Sequence, residues 1–240
     1  MNTPLISIIS VTYNAVQDLD KTLYSVVNFL SDDVEYIIID GGSVDGTVES
    51  IKKIESNLAY WISEKDSGIY DAMNKGIRAA KGKYIYFINA GDTMVNLPFS
   101  TLKVIDADLI CFPVELSNGK NFYPFINWQI KIKNTLPHQG CFYRNNKALV
   151  YDIRFKIFAD FALNQLLYKK GKKILTHNYP IVAYHSMDGI SHHKSSLQEI
   201  FQVVENNYGV VYMVISRVNF KLYGLMNKVR AIAQFISKVG

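Results

Sequence analysis

A regular alternation of strand-like and helix-like segments over residues 5–89 constrains the fold of this chain more than any other feature. Apolar runs rich in β-branched and aromatic residues predict strands at residues 5–12, 35–40, 59–63 and 84–89. Apolar residues at helical spacing predict helices after residue 18, after residue 45 and over residues 69–80. This alternation predicts an α/β fold, in which a parallel sheet with right-handed connections is covered by helices on both faces.

The pattern is looser after residue 100. Strands are predicted at residues 108–114 and 122–126, one or two more strands at 173–184, and helices at 161–167, 196–204 and 213–236. Neither an internal repeat nor a linker is visible, so we expect one domain followed by a helical tail.

Composition excludes several classes of protein. A chain of 240 residues with 49% hydrophobic residues can bury a sizeable core, and this fraction rules out disorder. Two cysteines are too few for a disulfide scaffold, and the first residues lack the basic region of a signal peptide. Because no run of about 18 apolar residues occurs, we expect no membrane-spanning helix and a cytoplasmic protein.

Charge is distributed unevenly along the chain. Residues 1–119 carry 9 basic and 16 acidic side chains, whereas residues 120–180 carry 11 basic and 2 acidic ones. This asymmetry favours a metal-dependent site joined to a surface for an anionic partner or membrane, with a plain solvated basic face as the alternative. Nucleic acid is not an expected partner, because the basic residues are not interleaved with aromatic ones.

Polar residues follow the four predicted strands of the first half. Ligands of parallel α/β sheets bind beyond the carboxyl ends of the strands, so these residues form a candidate site. A single acid at a strand end often only closes a turn, but four such ends at one edge are much less common by chance. The residues concerned are Thr12, Tyr13, Asn14, Asp40, Glu64, Asp66, Ser67, Gly68, Asn89, Gly91 and Asp92.

The glycines of the chain narrow the choice of ligand. Neither a Gly-x-Gly-x-x-Gly fingerprint nor a lysine after a glycine-rich loop is present, which excludes the common dinucleotide and P-loop sites. Strand-end acids beside a Gly-Gly turn suit a nucleobase, a ribose and a divalent metal. Mg²⁺ or Mn²⁺ would neutralise a diphosphate and prefers oxygen ligands such as Asp92.

Three ordered motifs, residues 40–47 (DGGSVDGT), 63–76 (SEKDSGIYDAMNKG) and 87–92 (FINAGD), resemble those of family 2 glycosyltransferases of the GT-A fold. The sequence is most similar to the bacterial branch that builds O-antigen and exopolysaccharide repeats. The resemblance is strong over residues 5–95 and continues through residues 138–139 and 159–161 to about residue 191. It does not cover the tail after about residue 195.

The resemblance implies a Rossmann-like, mostly parallel sheet flanked by helices. Residues 1–194 would form the glycosyltransferase domain, with a nucleotide-sugar half at residues 1–95 and an acceptor half at residues 96–194. Residues 195–240 would form an amphipathic helical tail. The apolar stripe of the last helix is flanked by Arg217, Lys221 and Lys228, as in helices at a membrane interface, although packing on the core or on a second subunit would explain the same pattern.

Site roles also follow from the resemblance. Asp160 matches the catalytic base, and His138 and Gln139 lie where the acceptor side is built. Asp92 matches the last acid of the metal motif, in which Asn89 replaces the first acid, and His185 is a second candidate metal ligand, beside a loop at residues 188–191 that would fold over the diphosphate. The residues expected around the nucleotide sugar are Thr12, Tyr13, Asn14, Asp40, Gly41, Gly42, Asp66, Asn74, Asn89 and Gly91.

Some of these residues have simpler explanations. His138 could hydrogen-bond a loop, Asn74 and Asp71 could be polar positions on a helix, and Asp160 could cap one. His192 and His193 lack the spacing of a metal site.

The resemblance implies transfer of a hexose, with inversion, from a nucleotide diphosphate sugar such as a UDP-sugar to a glycan acceptor carried on polyprenyl diphosphate. Mn²⁺ or Mg²⁺ would be the cofactor, the inner face of the plasma membrane a place of contact, and a homodimer one possible assembly. A catalytically silent nucleotide-sugar-binding module and a nucleotidyltransferase are the alternatives.

Overall fold

The computed structural model describes residues 3–146, 148–186 and 196–239, with side chains up to residue 226. Its central sheet has seven strands: β1 (Ile6–Thr12), β2 (Val34–Asp40), β3 (Tyr60–Ser63), β4 (Tyr84–Phe87), β6 (Leu109–Cys111), β9 (Cys141–Arg144) and β10 (Ile174–Thr176). A smaller sheet contains β5 (Thr93–Met94), β7 (Val114–Leu116), β8 (Asn121–Phe122) and β11 (Ala183–His185). The helices are α1 (Val16–Val27), α2 (Thr47–Lys53), α3 (Ile69–Ala79), α4 (Phe99–Val104), α5 (Ala159–Lys169), α6 (Leu197–Tyr208) and α7 (Val210–Val239).

The central sheet has the strand order β10-β6-β9-β4-β1-β2-β3. The pairings of β1 with β2, β1 with β4 and β2 with β3 are all parallel, so the α/β fold is confirmed. Strand β9 runs antiparallel between β4 and β6, and the sequence did not predict it. The strand has only four residues, and its first three are buried, so the sequence does not alternate between apolar and polar residues there.

The sheet separates two apolar clusters, because successive residues of a strand face opposite sides. Ile9 and Ile39 contribute to one cluster, with residues of α3, α5 and α6. Ile8 and Ile38 contribute to the other, with residues of α1. Helix α3 lies so close to β1 that a Cβ at Gly76 would come within 2.6 Å of Ile9 Cγ2, which explains a glycine in mid-helix.

The smaller sheet positions the site. Its order is β5-β11-β7-β8, and β11 pairs antiparallel with β5, placing Tyr184 opposite Thr93. This pairing brings His185, at the end of β11, next to Asp92, which directly precedes β5. Two residues about ninety positions apart are thereby held together by a single strand pair.

Helix α6 and the start of α7 lie within the expected tail of residues 195–240 and pack against the expected domain of residues 1–194. Val203 and Val204 of α6 are fully buried in the same cluster as α3 and α5, and Met213 of α7 joins them. Ser216 Oγ donates to the carbonyl of Ile132 at 2.6 Å. Helix α6 and the start of α7 therefore belong to the domain, whereas residues 221–226 are exposed.

The side chain of Lys228 lies outside the described residues, as do residues 188–191, His192 and His193. Both cysteines, Cys111 and Cys141, are buried and free. Among the described helices, none combines the length and the apolar character needed to cross a bilayer.

Candidate active site

The carboxyl ends of β1, β2 and β3 lie level with one another. Thr12 is the register partner of Asp40, and Asp40 is the partner of Ser63. The backbone carries this alignment one residue further, since Gly41 N donates to Thr12 O at 2.9 Å and Glu64 N donates to Asp40 O at 3.0 Å. The predicted convergence of strand ends at one edge is present.

Asp40 is fully buried and is hydrogen-bonded by its own surroundings. Its Oδ2 accepts from Gly42 N at 3.1 Å, from Ser43 N at 2.9 Å and from Ser63 Oγ at 2.6 Å, and its Oδ1 accepts from Ser43 Oγ at 2.5 Å. Four donors occupy the carboxylate. Asp40 therefore shapes the loop after β2, and its contact with the nucleoside stays a prediction.

Asn14 also shapes this loop. Its Oδ1 accepts from Val44 N at 2.9 Å, and its backbone N–H donates to Ser43 Oγ at 2.7 Å. The φ of 46° at Asn14 lies in the left-handed region, which asparagine tolerates better than most residues. The loop after β1 and the loop after β2 are thus fastened to each other.

Tyr13 and Asp66 flank Gly41. The ring of Tyr13 is 65% exposed. A Cβ at Gly41 would come within 3.2 Å of Tyr13 Cδ2 and 3.1 Å of Asp66 Oδ2. A glycine is needed at this position to keep the space between an exposed aromatic ring and a carboxylate, which is a suitable surface for a flat ring.

Lys75 neutralises the acids after β3. Its Nζ lies 2.5 Å from Asp66 Oδ1 and 2.8 Å from Glu64 Oε1. Lys75 lies six residues into α3, at a helix position where a lysine usually faces solvent, so the sequence did not assign it a role. The structure adds it to the candidate nucleotide end of the site.

Asp92, His185 and Gln139 come together from three separate segments. His185 Nδ1 lies 2.7 Å from Asp92 Oδ1, and Gln139 Nε2 lies 3.0 Å from Asp92 Oδ2 and 2.9 Å from His185 Nδ1. Asp92 and Gln139 are buried. Gln139 was expected on the acceptor side, and the structure places its amide against the two candidate metal ligands.

This group fits a divalent cation. His185 donates to Asp92 Oδ1 when Nδ1 carries the proton, and Nδ1 becomes a metal ligand when it does not. A carboxylate and a neutral imidazole are both ordinary ligands of divalent cations, and here their ligand atoms lie side by side. The described part of the chain has no cluster of three or more His, Cys, Asp or Glu placed for a metal, so water or substrate oxygens would complete the coordination.

Asp160 lies in the first turn of α5 and is buried. Tyr70 Oη lies 2.9 Å from Asp160 Oδ1 and 2.6 Å from the carbonyl oxygen of Ile157. Burial, together with the charge of Asp160, raises the pKa of Tyr70 well above its usual range, so the hydroxyl keeps its proton and donates it. No described residue hydrogen-bonds to Asp160 Oδ2, which leaves that oxygen available to a ligand.

The imidazole ring of His138 is held by neighbouring aromatic rings. Its ring stacks on Phe87 with centroids 5.4 Å apart and lies edge-on to Tyr151 at 6.1 Å. Both ring nitrogens are buried, and neither has a hydrogen-bond partner among the described residues. Burial lowers the pKa of His138, while the charges of Asp160 and Asp92 act in the opposite direction. The alternative that His138 hydrogen-bonds a loop does not hold here.

Three of the expected nucleotide-sugar residues remain. Asn74 exchanges two hydrogen bonds with the backbone of Tyr151, at 2.9 and 2.8 Å, so its amide joins α3 to the acceptor half and is not available to a nucleotide. Asn89 has a buried Oδ1 without a described partner. Gly91 has a φ of 96° and donates its N–H to Asp18 O at 3.3 Å, which turns the chain toward Asp92.

Comparisons with known proteins identify the family. Residues 7–95 match the family described as Glycosyl transferase family 2. An uncharacterized glycosyltransferase of Mycobacterium tuberculosis is 31% identical over 176 residues, which cover 66% of this chain and 67% of the relative. The chain belongs to glycosyltransferase family 2.

Solved structures share the fold. TarS 1–349 of S. aureus, in complex with UDP-GlcNAc, superposes with a TM-score of 0.67 at 15% identity, covering 85% of this chain and 67% of that one. The chain spans only 39% of a longer TarS structure. The mannosyltransferase PcManGT of Pyrobaculum calidifontis, in complex with GDP-Man and Mn²⁺, gives a TM-score of 0.65 at 13% identity and covers 97% of this chain and 81% of that one.

Proposed function

We propose that this chain is an inverting glycosyltransferase that moves a hexose from a nucleotide diphosphate sugar, in the simplest case a UDP-sugar, to a hydroxyl of a polyprenyl-diphosphate-linked glycan during synthesis of surface polysaccharide. The observation that carries the proposal is a continuous set of contacts that joins two acids in different surroundings. Gln139, which binds Asp92, directly follows His138. The ring of His138 packs on Tyr151, and Tyr151 packs on Tyr70, which binds Asp160. One acid has an oxygen available for a proton, and the other is paired with His185.

In the proposed reaction, Asp160 acts as the general base. Its Oδ2 accepts the proton of the acceptor hydroxyl while that oxygen bonds to the anomeric carbon of the donor. The bond from the anomeric carbon to the diphosphate oxygen breaks, and the nucleoside diphosphate leaves with the electron pair. A single displacement of this kind inverts the anomeric configuration. Tyr70 orients the carboxylate through its bond to Oδ1.

Asp92 and His185 would hold Mn²⁺ or Mg²⁺, whose charge offsets that of the diphosphate. An imidazole ligand favours Mn²⁺ over Mg²⁺, because Mg²⁺ prefers oxygen ligands. The Mn²⁺ in the PcManGT structure supports the same choice.

At the other end of the site, we expect the nucleobase beside Gly41. The exposed ring of Tyr13 can stack on a base, and Asp66 can accept from a ring N–H or a ribose hydroxyl. Thr12 Oγ1 is buried without a described partner and is available to the same ligand. The UDP-GlcNAc bound to TarS supports a uridine diphosphate sugar as the donor. The GDP-Man bound to PcManGT supports a guanosine diphosphate sugar as the alternative donor.

A donor screen tests the proposal. Thermal shift with UDP-, GDP- and dTDP-sugars, with and without Mn²⁺, should show one base class that stabilises the protein more strongly with metal. Asp92→Ala should lose the metal-dependent part of the shift and keep the metal-free part. Release of nucleoside diphosphate should accompany binding in the unmodified protein.

Other outcomes point to the alternatives. Binding without transfer or hydrolysis would favour a silent binding module. Formation of pyrophosphate from a nucleoside triphosphate and a sugar 1-phosphate would indicate a nucleotidyltransferase. An unchanged metal effect in Asp92→Ala would contradict the assignment of Asp92.

The proposed acceptor calls for contact with a membrane, and α7 offers a surface for it. The exposed apolar side chains of its outer face are Val211, Val214, Val218, Leu222 and Leu225. Arg217 and Lys221 are exposed along the same helix. An apolar stripe beside cations is suited to the interface of an anionic bilayer, which would place the protein at the inner face of the plasma membrane.

Vesicle binding tests this contact. The protein should sediment with vesicles that contain phosphatidylglycerol, high salt should release part of it, and Leu222→Glu should weaken it. Equal sedimentation with neutral and with anionic vesicles would contradict an electrostatic contribution to membrane binding. A dimer in solution that Leu222→Glu dissociates would assign the stripe to a second copy of the chain.

A further inference from the structure

Glu199, in the first turn of α6, binds the backbone of a distant loop. Its Oε1 accepts from Ile157 N and from Phe158 N, both at 2.7 Å, and its Oε2 accepts from Lys156 N at 3.0 Å. One half-buried carboxylate therefore holds three consecutive N–H groups that lie about forty residues earlier in the chain.

The loop held by Glu199 leads directly into the helix that carries Asp160. The first N–H groups of a helix have no partner within the helix and need an acceptor. Phe158 occupies the capping position of α5 and has no side-chain acceptor to offer. The carboxylate of Glu199 accepts from the N–H of Phe158 and from the two residues before it, so it holds the chain at the entry to α5. Its negative charge is favourable near the N-terminal end of that helix.

The same loop is joined to Asp160 by a second route. Ile157 donates its N–H to Glu199, and its carbonyl oxygen accepts from Tyr70, which also binds Asp160 Oδ1. The single hydroxyl proton of Tyr70 is shared between these two acceptors. If the loop moves, the share of that proton that reaches Asp160 changes, and the start of α5 loses the bonds that hold it. Glu199 is thus linked to the proposed base both through the backbone and through Tyr70.

We infer that Glu199 is a positioning residue, which fixes the direction of the Asp160 carboxylate toward the acceptor hydroxyl. The inference rests on the proposed function, because it requires Asp160 to be the base. It assigns a role in the reaction to a helix that the sequence resemblance does not reach. Small displacements of a catalytic group can lower the rate by about 100-fold, so the effect is measurable.

Two substitutions and a matched control form the test. Glu199→Gln keeps the shape but leaves one acceptor oxygen, and should lower kcat by about 10-fold, whereas Glu199→Ala should lower it by about 100-fold. Donor affinity should change by less than about twofold, because the nucleotide end is built by other loops. Glu35 is the control: its Oε1 accepts from Lys81 N at 2.6 Å and Gly82 N at 3.1 Å, at the opposite end of the sheet. Glu35→Gln should lower the melting temperature without lowering kcat.

A double-mutant cycle separates positioning from general stability. In an Asp160→Asn background, Glu199→Gln should lower kcat by no more than about twofold, since the group it positions can no longer accept a proton. If the two substitutions lower kcat by independent factors that multiply in the double variant, the inference is overturned and Asp160 remains the base. A normal kcat in Asp160→Asn would overturn the proposed base and the inference together.

Hydrogen exchange gives a readout that needs no turnover. The amides of residues 156–158 should exchange faster in Glu199→Gln and at the native rate in Glu35→Gln. Unchanged exchange at these amides in Glu199→Gln would overturn the inference whatever the activity.

Discussion

Asp40 in the nucleotide-sugar half accepts four hydrogen bonds from its own surroundings, whereas Asp160 in the acceptor half accepts one described side-chain bond, from Tyr70. Both carboxylates are buried. The first has its acceptor capacity used by the loop that it organises, and the second keeps one oxygen for a ligand. Burial and position at a strand or helix end therefore do not by themselves distinguish an acid that shapes a site from an acid that reacts.

Polar satisfaction differs between the two regions in the same way. Around Asp40, the side chains of Ser43, Ser63 and Asn14 pair with nearby groups, although Thr12 Oγ1 is buried without a described partner. Near Asp160, both nitrogens of His138 and the hydroxyl of Tyr151 are buried without described partners. Buried polar groups without partners destabilise a fold, so a group of them near the proposed base indicates a role in binding or catalysis.

The largest effect should come from Asp160→Asn. The amide keeps the shape and any capping role of the acid, but it cannot accept the acceptor's proton. Transfer should fall by at least about 100-fold, the lower end of general-base contributions, with donor affinity unchanged. Single-turnover transfer and calorimetry with the donor measure the two quantities separately. Near-normal transfer would remove the contrast with Asp40 and make Asp160 a helix cap, with Glu64 or Asp71 as the next candidate bases.

Contacts between residues close together in the sequence could be predicted, and contacts between distant residues could not. The strand ends of the first half could be predicted, because each polar residue directly follows an apolar run and the loops bond within themselves. Asp40 lies at the predicted edge, its four hydrogen bonds within the loop were not predicted, and its contact with the nucleoside stays a prediction.

A single sequence does not show which distant segments pack against each other, so the long-range contacts of the site were not predicted. The bond between Tyr70 and Asp160 joins residues 90 positions apart, and that between His185 and Asp92 joins residues 93 apart. The apolar spacing of α6 predicted a helix but not the neighbour against which it packs. For that reason Glu199 was missed and the domain was expected to end at residue 194.

The second prediction tests the loop-shaping role of Asp40. Asp40→Ala leaves the N–H groups of Gly42 and Ser43 without their acceptor, and should lower the free energy of unfolding by about 2 kcal/mol. Nucleotide affinity should fall only to the extent that the loop after β2 becomes less ordered. Urea denaturation gives the stability and calorimetry with UDP the affinity. A large loss of affinity at unchanged stability would show that Asp40 contacts the nucleotide directly, as the sequence first indicated.

A smaller effect is expected from Tyr70→Phe. The change removes one hydroxyl, leaves the ring packed near Tyr151, and takes away the bond that orients Asp160 Oδ1. A hydrogen bond to a charged group contributes about 1.5–3 kcal/mol. Because the proton of Tyr70 is shared with the carbonyl of Ile157, we expect the lower end of this range, a fall in kcat of about 10-fold with little change in donor affinity. Tyr143→Phe is the control, since its hydroxyl binds Asn164 at 3.0 Å and not Asp160. Equal losses in both variants would mean that core packing, and not orientation of the base, is responsible.

The smallest effect concerns pH and the unpartnered His138. Because burial lowers its pKa, the folded state resists protonation at pH values where the unfolded chain already binds a proton. At pH values above the ordinary histidine pKa of about 6.5, His138 therefore does not lower the free energy of unfolding. As the pH falls through and below that value, the free energy of unfolding decreases.

His138→Phe keeps the stack on Phe87 and cannot titrate. From pH 7.5 to pH 5, the free energy of unfolding should fall less steeply in the variant than in the unmodified protein. The difference in slope cannot exceed about 1.4 kcal/mol per pH unit, the limit for one proton. Urea denaturation at several pH values measures both slopes. Parallel curves would show that His138 gains a proton and a partner in the folded state, which would remove the clearest electrostatic difference between the acceptor pocket and the loop around Asp40.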